Sequence, residues 1–249
     1  MTHDNIGDLL TDMAVDLAAL TAAGDARRFF HATYARTTRA VADEIARGGF
    51  ADNDWVHRWD LAFADLYLEA LAADRAGAEV PGPWRVAFDT ARREPGLPPV
   101  RHVLFGMNAH INYDLPQAIL AVIDEADFDD PALLDRRLAD HRHLDEVLLS
   151  RISDEQDQLD AVTKRTLLDR ILAPANRTAT ARFLKESRAK VWRNARALDR
   201  ARRAGGSAYP DMIAELEGLC AERVRDLVQP GQVVLRLARH GFGVLLPGA

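Results

Sequence analysis

Apolar residues recur three and four positions apart along most of the chain, which is the spacing that places them on one face of an α-helix. The first such stretch contains Ile6, Leu9, Leu10 and Met13. Strand-like alternation of polar and apolar residues is absent except for the short run 233–235, which fits a helix equally well. The pattern therefore predicts an all-α fold, a bundle of about eight to ten helices.

Capping residues, glycines and prolines mark where these helices begin and end. Asp25 is a candidate cap for the second helix, which Gly48 would end, and Asp52 or Asn53 is a candidate cap for the third. A short helix near Trp84 and a long helix carrying residues 106–116 follow. Further helices are predicted over 131–151, 155–173, 177–203, 209–228 and 230–240.

Composition limits the organisation and the partners of the chain. Its 249 residues, 48% of them hydrophobic, contain no linker-like stretch, so residues 1–249 are predicted to form a single helical domain. A net charge of −6 gives no general attraction to nucleic acid or to an anionic membrane. A basic-then-apolar signal segment and an apolar run of about 20 residues are both lacking, and Cys220 is the sole cysteine. We therefore expect a cytoplasmic protein that does not enter a membrane.

The segment from Gly106 to Pro116 places two amides, an imidazole and a carboxylate within a stretch that otherwise has the character of a buried helix. Burying one such polar group without a partner costs about 1–3 kcal/mol. His110 and Asp114 lie four residues apart, on one helix face, and Asn108 and Asn112 form a second pair on another face. Pro116 cannot donate a hydrogen bond to the Asn112 carbonyl, so the helix is expected to kink or restart there.

Two interpretations of this segment remain open. In the functional one, His110 is a general acid or base, Asp114 orients it, and Asn108 and Asn112 bind polar atoms of a substrate. In the structural one, Asp114 and Gln117 form a capping box that restarts a helix, and the other polar groups brace the break.

A metal ion is a weaker candidate at the same place. A histidine and a carboxylate four residues apart, here His110 and Asp114, can bind one ion. However, the chain has neither a Glu-x-x-His pair nor a His-Glu-x-x-His motif. No metal site is therefore predicted, and the sequence implies no cofactor.

The pattern Gly-x-Asn-Ala-His-Ile-Asn-x-Asp-Leu-Pro at residues 106–116 resembles the hallmark of an uncharacterised bacterial family, catalogued as domain of unknown function 5995. The resemblance extends over roughly residues 25–200. The other positions that carry it are Phe30, Tyr34, Thr38, Val41, Asp60, Phe63, Ala64, Tyr67, Trp84, Phe88, Arg188, Trp192, Ala195 and Leu198. It implies an all-helical fold and no established activity.

The polar residues of these positions could converge in one small-molecule pocket with apolar walls. Its predicted substrate-binding residues are Tyr34, Asp60, Tyr67, Asn108, Asn112, Arg188 and Trp192, around His110 and Asp114. The alternative for Asp60 and Arg188 is a buried ion pair, and the alternative for the aromatic members is plain core packing.

Three functions are therefore carried forward. The first is a helical enzyme that acts on a small, largely apolar metabolite, in specialised or lipid-like chemistry, with His110 as acid or base. The second is a non-catalytic small-molecule-binding protein that uses the same pocket. The third is a nucleic-acid or protein interaction module on the basic helix 182–203; nucleic acid is disfavoured because the whole chain is acidic. The sequence also leaves a homo-oligomer open.

The remaining reactive residues favour ordinary structural roles. The acidic cluster 124–130 precedes Pro131, where a loop with an aspartate cap is expected. Cys220 lies in an amphipathic stretch and is predicted to be a buried thiol. His141 and His143 are two positions apart, cannot share a helix face, and are predicted to be surface residues.

Overall fold

A computed structural model describes residues 3–162, 167–229 and 241–249; within these ranges, residues 145, 148–162 and 167–185 are described by their backbone alone. The described part is an α-helical bundle without strands, as predicted. Its helices are α1 (Ile6–Ala22), α2 (Arg28–Ala46), α3 (Asn53–Arg75), α4 (Gly82–Arg93), α5 (Pro99–Ala109), α6 (Leu115–Val122), α7 (Pro131–Val162), α8 (Leu167–Ala204) and α9 (Ala208–Val228).

In the first half of the chain the predicted helices agree with the structure, except that Asp25 does not cap α2: its Oδ1 atom accepts the Arg27 backbone N–H in the turn before the helix. In part of the second half the predicted boundaries are wrong. Asp52 caps α3, since its side chain accepts a hydrogen bond from the Trp55 backbone N–H at 2.9 Å. Where three helices were predicted between residues 131 and 203, the structure has two long ones, α7 and α8. The predicted helix 230–240 lies outside the described residues. Periodicity identified these segments as helical but could not detect that the polar stretches between them continue the helix.

Residues His110–Asp114 form a π-helical turn between α5 and α6. The backbone N–H of Leu115 donates to the carbonyl of His110, five residues earlier, and Pro116 lies in the first turn of α6. The predicted break at Pro116 is therefore a widened turn in a helix that continues from 99 to 122. Such turns occur frequently at functional sites.

The π-turn lies at the centre of the bundle. It contacts α3, α8 and α9, while α5 packs on α2 and α6 packs on α3. All five side chains of the turn are buried. Among the helices of the described ranges, none is long and apolar enough to cross a membrane.

Candidate active site around His110

The His110 imidazole is clamped between aromatic rings in the bundle centre. The Phe63 ring of α3 lies parallel to it, with ring centroids 3.5 Å apart and planes 5° apart. Tyr34 of α2 meets it edge-on at a centroid distance of 4.4 Å. His110 is 3% exposed, so these contacts fix its plane and exclude water from its faces.

Asp114 orients this imidazole, as the functional interpretation requires. Its Oδ2 atom lies 2.8 Å from His110 Nδ1 and accepts a hydrogen bond from the Trp84 indole N–H at 2.9 Å. The same side chain makes no capping hydrogen bond to α6, so the predicted capping box with Gln117 is wrong. Trp84, on α4, was not predicted as a site residue, because nothing in its spacing connects it to residue 114.

Burial determines the charge of the pair. Burial, reinforced by the positive charge of Arg188, holds the pKa of His110 well below its ordinary value. Burial likewise raises the pKa of Asp114, against the lowering effect of the Trp84 hydrogen bond. The imidazole is therefore neutral, and its Nδ1 atom shares one proton with the carboxyl group. When Asp114 is ionised, Nε2 presents a lone pair; when Asp114 is protonated, Nε2 presents an N–H.

The outer nitrogen of His110 has no partner. His110 Nε2 is buried and makes no hydrogen bond, and the same is true of Asp60 Oδ2. Tyr34 Oη is buried without a hydrogen bond of ordinary geometry, and the nearby Thr38 hydroxyl only partly offsets the effect of burial on its pKa. Burial raises the pKa of Asp60 to about 7, and burial followed by the charge of Asp60 raises the pKa of Tyr34. The structure thus brings three of the predicted site residues together with polar atoms that lack a hydrogen bond of ordinary geometry.

Arg188 of α8 is buried, and its positive charge acts on both His110 and His141. Burial alone raises the pKa of Asp60, and the alternative of an Asp60–Arg188 ion pair stays a prediction. Trp192 packs against His141, with ring centroids 5.7 Å apart. His141 itself is 2% exposed, which makes its predicted surface position wrong.

Tyr67 contributes its ring to the site, while its hydroxyl is bonded elsewhere. His31 Nε2 lies 2.8 Å from the Met13 carbonyl, to which it can only donate, so His31 Nδ1 accepts the Tyr67 O–H at 2.9 Å. The Tyr67 ring lies 6.0 Å from that of His110, between centroids. No spacing in the sequence connects His31 with Tyr67, so His31 was not a predicted site residue. A substrate-binding role for the Tyr67 hydroxyl stays a prediction.

The two asparagines of the motif face the C-terminal segment 241–249. The side-chain amides of Asn108 and Asn112 both donate to the Phe242 carbonyl, at 3.0 and 3.1 Å. Asn112 Oδ1 accepts from the Val244 backbone N–H at 3.2 Å. Asn108 Oδ1, by contrast, is buried without a hydrogen-bond partner. The role of both asparagines in binding substrate stays a prediction, since both amide nitrogens and Asn112 Oδ1 are directed to the protein backbone.

Gly106 admits an aromatic ring to this centre. A Cβ atom at this position would overlap the ring of Phe30. That ring contacts Tyr34, Tyr67 and His110, at centroid distances of 5.8, 5.0 and 6.0 Å. The glycine therefore allows the aromatic wall around His110 to close.

No metal centre emerges from the described side chains: none of them form a group of three or more histidine, cysteine or acidic residues that could hold an ion. His110 and Asp114 bond each other and Trp84 instead. The acidic cluster 124–130 has the expected capping role, because Asp130 Oδ1 accepts the backbone N–H groups of Ala132 and Leu133. Cys220 is a buried free thiol, also as predicted.

The described basic residues of segment 182–203 are largely engaged within the molecule; the side chains of 182–185 lie outside the description. Arg203 pairs with Asp199 and Asp129, and Arg202 pairs with Asp199 and the carbonyls of α6. Arg200 donates to the Gly248 carbonyl. These contacts give the interaction-module hypothesis no support.

A surface cavity of about 430 Å³ lies on the other side of α6, where Gln117, Arg202 and Tyr209 are among its lining residues. None of the predicted site residues lines it. It is therefore separate from the centre around His110.

Taken together, these features define an all-helical protein with a buried His–Asp pair and unsatisfied polar atoms at its centre. Over residues 6–230 the chain matches the family of unknown function DUF5995, and it belongs to that family. The family predicted from the sequence is thereby confirmed. No curated protein and no solved structure matches the chain.

Proposed function

We propose that this protein is an enzyme that acts on a small, largely apolar metabolite, with His110 as general acid or base and Asp114 as the group that orients it. The observation that carries the proposal is the buried, unpartnered Nε2 atom of His110. His31, by contrast, bonds with both nitrogens. His102 Nδ1 and Nε2 and His141 Nε2 are also buried without a partner, but His110 is the one of these three whose other nitrogen bonds a carboxylate, Asp114.

The surroundings of His110 suit proton transfer at neutral pH. The imidazole carries no charge, its ring is held by Phe63, and its inner nitrogen shares a proton with Asp114. When Asp114 is ionised, its negative charge would balance the positive charge of a proton taken up at Nε2. When Asp114 is protonated, its proton would pass to Nδ1 as Nε2 gives its own proton to the substrate. Trp84 keeps the carboxyl group in place through its own hydrogen bond.

The walls support the class of substrate. Phe63, Tyr34, Tyr67 and Phe30 present aromatic surface around the imidazole, and Asp60 and Tyr34 add a few polar atoms. An apolar wall with few directional polar groups is typical of sites for small metabolites. A cytoplasmic location is part of the proposal, in line with the single, buried cysteine.

Activity-based metabolite profiling tests this function. The purified protein would be incubated with a metabolite extract from bacterial cells, and mass spectrometry would follow which compounds are consumed. We expect His110→Gln to lower the turnover of such a compound by about 10³-fold, because glutamine cannot transfer the proton. His102→Gln is the matched control, since His102 is also buried with unpartnered nitrogens but stacks on Phe29 and bonds no carboxylate.

The result separates the two small-molecule functions. A compound consumed by the wild type and by His102→Gln, and left intact by His110→Gln, supports the enzyme. A compound that binds and is never altered favours the non-catalytic binding protein and contradicts the proposal. Loss of the folded state in His110→Gln, measured by thermal unfolding, would mean that His110 is structural.

A further inference from the structure

A second group of buried polar side chains lies at the corner where α3, α7 and α8 meet. Each helix contributes two residues four positions apart, so that each pair occupies one helix face. The residues are Trp55 and Trp59, Arg137 and His141, and Arg188 and Trp192.

The rings of this corner form a continuous stack. Trp55 lies on Trp59 with centroids 5.1 Å apart, and Trp59 lies on His141 at 5.4 Å. Trp192 meets His141 edge-on at 5.7 Å. The four rings are at most 7% exposed, so the corner belongs to the interior.

Hydrogen-bond donors in this corner lack acceptors. The indole nitrogens of Trp55, Trp59 and Trp192 and the Nε2 atom of His141 are all buried without a hydrogen-bond partner. An indole N–H can only donate, so each of the three tryptophans requires an acceptor. Asp60, next to Trp59, also has an unsatisfied carboxylate oxygen, but no described acceptor bonds the three indole donors, which indicates that what is missing carries acceptor oxygens.

The charge of the corner agrees with its donors. The guanidinium carbon of Arg188 lies 5.9 Å from the centre of the Trp59 ring. Apart from burial, the groups that lower the pKa of His141 are Arg188 and Arg142, both positive. Asp140, which follows Arg137 and precedes His141 on α7, is occupied by the backbone N–H groups of Ala51 and Asp52, and Arg137 itself pairs with Asp52. The charges that act on His141 are positive, and an anion beside it would be stabilised by them.

We propose that the corner between α3, α7 and α8 binds the carboxylate of an apolar monocarboxylic acid, through the indole N–H groups of Trp59 and Trp192 and beside Arg188. Arg188 acts on His110 and His141 alike, so the corner and the proposed active site are neighbours. The ligand's apolar part would extend from the corner toward His110, which makes such an acid the substrate class; this last step rests on the proposed function.

A ligand series of constant chain length tests the proposal. Octanoate, octanol and octyl phosphate would be titrated into the full-length protein, and tryptophan fluorescence and thermal unfolding would report binding. We expect octanoate to bind at least about tenfold more tightly than octanol, because charge-assisted hydrogen bonds contribute that much or more. Trp59→Phe and Trp192→Phe keep the ring and remove the donor, so each should abolish most of this preference.

Trp84→Phe is the matched control, because the Trp84 N–H is bonded to Asp114 and lies outside the corner. It should leave the ratio of octanoate to octanol affinity unchanged. Tighter binding of octyl phosphate than of octanoate would overturn the carboxylate assignment. Equal binding of octanol, or no binding of octanoate, would overturn the site and favour internal water as the partner of these donors.

His110→Gln keeps the two proposals apart. Octanoate should bind this variant within about threefold of the wild type, since His110 does not belong to the corner. If octanoate binds and no metabolite is ever turned over, the anion site stands and the enzyme proposal fails. If turnover depends on His110 but the corner shows no preference for octanoate over octanol, the enzyme proposal stands and the anion site fails.

Discussion

Two regions of the molecule bury polar side chains from the same segment, Gly106 to Pro116, and they differ in where the partners come from. On one face, Asn112 bonds with both ends of its amide to the backbone of Phe242 and Val244. On the other face, His110 bonds through one nitrogen and leaves the second unpaired. Asn112 is satisfied by the chain itself, Asn108 only through its amide nitrogen, and the Nε2 atom of His110 by no described group.

The amide face follows a repeated design. Asn194 of α8 binds segment 241–249 in the same way as Asn112. Its amide donates to the Val244 carbonyl, and its Oδ1 accepts from the Leu246 N–H. The side chains of Phe242, Val244 and Leu246 are buried in alternation with Gly243 and Leu245. Asparagine side chains thus bind the backbone of segment 241–249, and every second side chain of Phe242–Leu246 packs into the core. Buried polar groups that are satisfied in this way stabilise and specify a fold.

The comparison teaches that burial of a polar group does not reveal its purpose, whereas its hydrogen-bond partners do. Both faces remove polar atoms from water, which has a large cost in free energy. Within the described structure Asn112 regains that cost with both ends of its amide, and His110 regains it with one nitrogen only. The histidine face is where a ligand would gain the most by binding.

The largest effect should come from breaking the satisfied face. We expect Asn112→Ala to lower the free energy of unfolding by about 3 kcal/mol, because the Val244 N–H loses its acceptor inside the core. Chemical denaturation would measure it. Asn53→Ala is the control, because it removes only two long contacts of 3.4 Å to the Phe50 backbone. It should lower the free energy of unfolding by well under half of the loss expected for Asn112→Ala. Equal losses in the two variants would contradict the assignment of the amide face as structural.

A pH titration sharpens the comparison on the open face. Burial raises the pKa of Asp60 to about 7, so the folded protein binds a proton there that the unfolded chain has released above about pH 4. Stability from this group is present at low pH and is lost as the pH rises toward 7, by up to about 1.4 kcal/mol per unit. Asp60→Asn cannot titrate, and denaturation at several pH values should show the difference between it and the wild type closing as the pH falls. A difference independent of pH would exclude this burial effect.

The smallest effect should come from removing an unsatisfied group. We expect Tyr34→Phe to leave the free energy of unfolding unchanged or to raise it by up to about 1 kcal/mol, because the buried hydroxyl has no hydrogen bond of ordinary geometry to lose. Tyr67→Phe is the counterpart, since its hydroxyl is bonded to His31, and it should cost about 1 kcal/mol. A larger loss for Tyr34→Phe than for Tyr67→Phe would show that the Tyr34 hydroxyl is satisfied in the free protein.

The sequence predicted what depends on local spacing. Helical periodicity gave the all-α fold, and the spacing of His110 and Asp114 gave their contact. The pairing of Asn112 with Phe242, 130 residues away, depends on the packing of the whole bundle and has no local signal. The same holds for Trp84, whose N–H reaches Asp114 from another helix.

The error at His141 has a physical origin, and the prediction for His143, whose side chain is 37% exposed, does not share it. His141 and His143 were assigned to the surface because they lie on different helix faces, but α7 packs against both α2 and α8. One of its faces can therefore bury His141 against Trp59 while another places His143 beside Glu44. The spacing of two residues shows that they lie on different faces of one helix, but it does not show how many of those faces are covered by other helices.

The π-turn connects the two regions through five residues of backbone. Asn112 lies midway between His110 and Asp114, so the side chains that hold the C-terminal segment and those that form the proton-sharing pair alternate along one turn. Any ligand that shifts this turn changes the affinity of the asparagine for the segment, and by thermodynamic reciprocity the segment changes the affinity for that ligand equally.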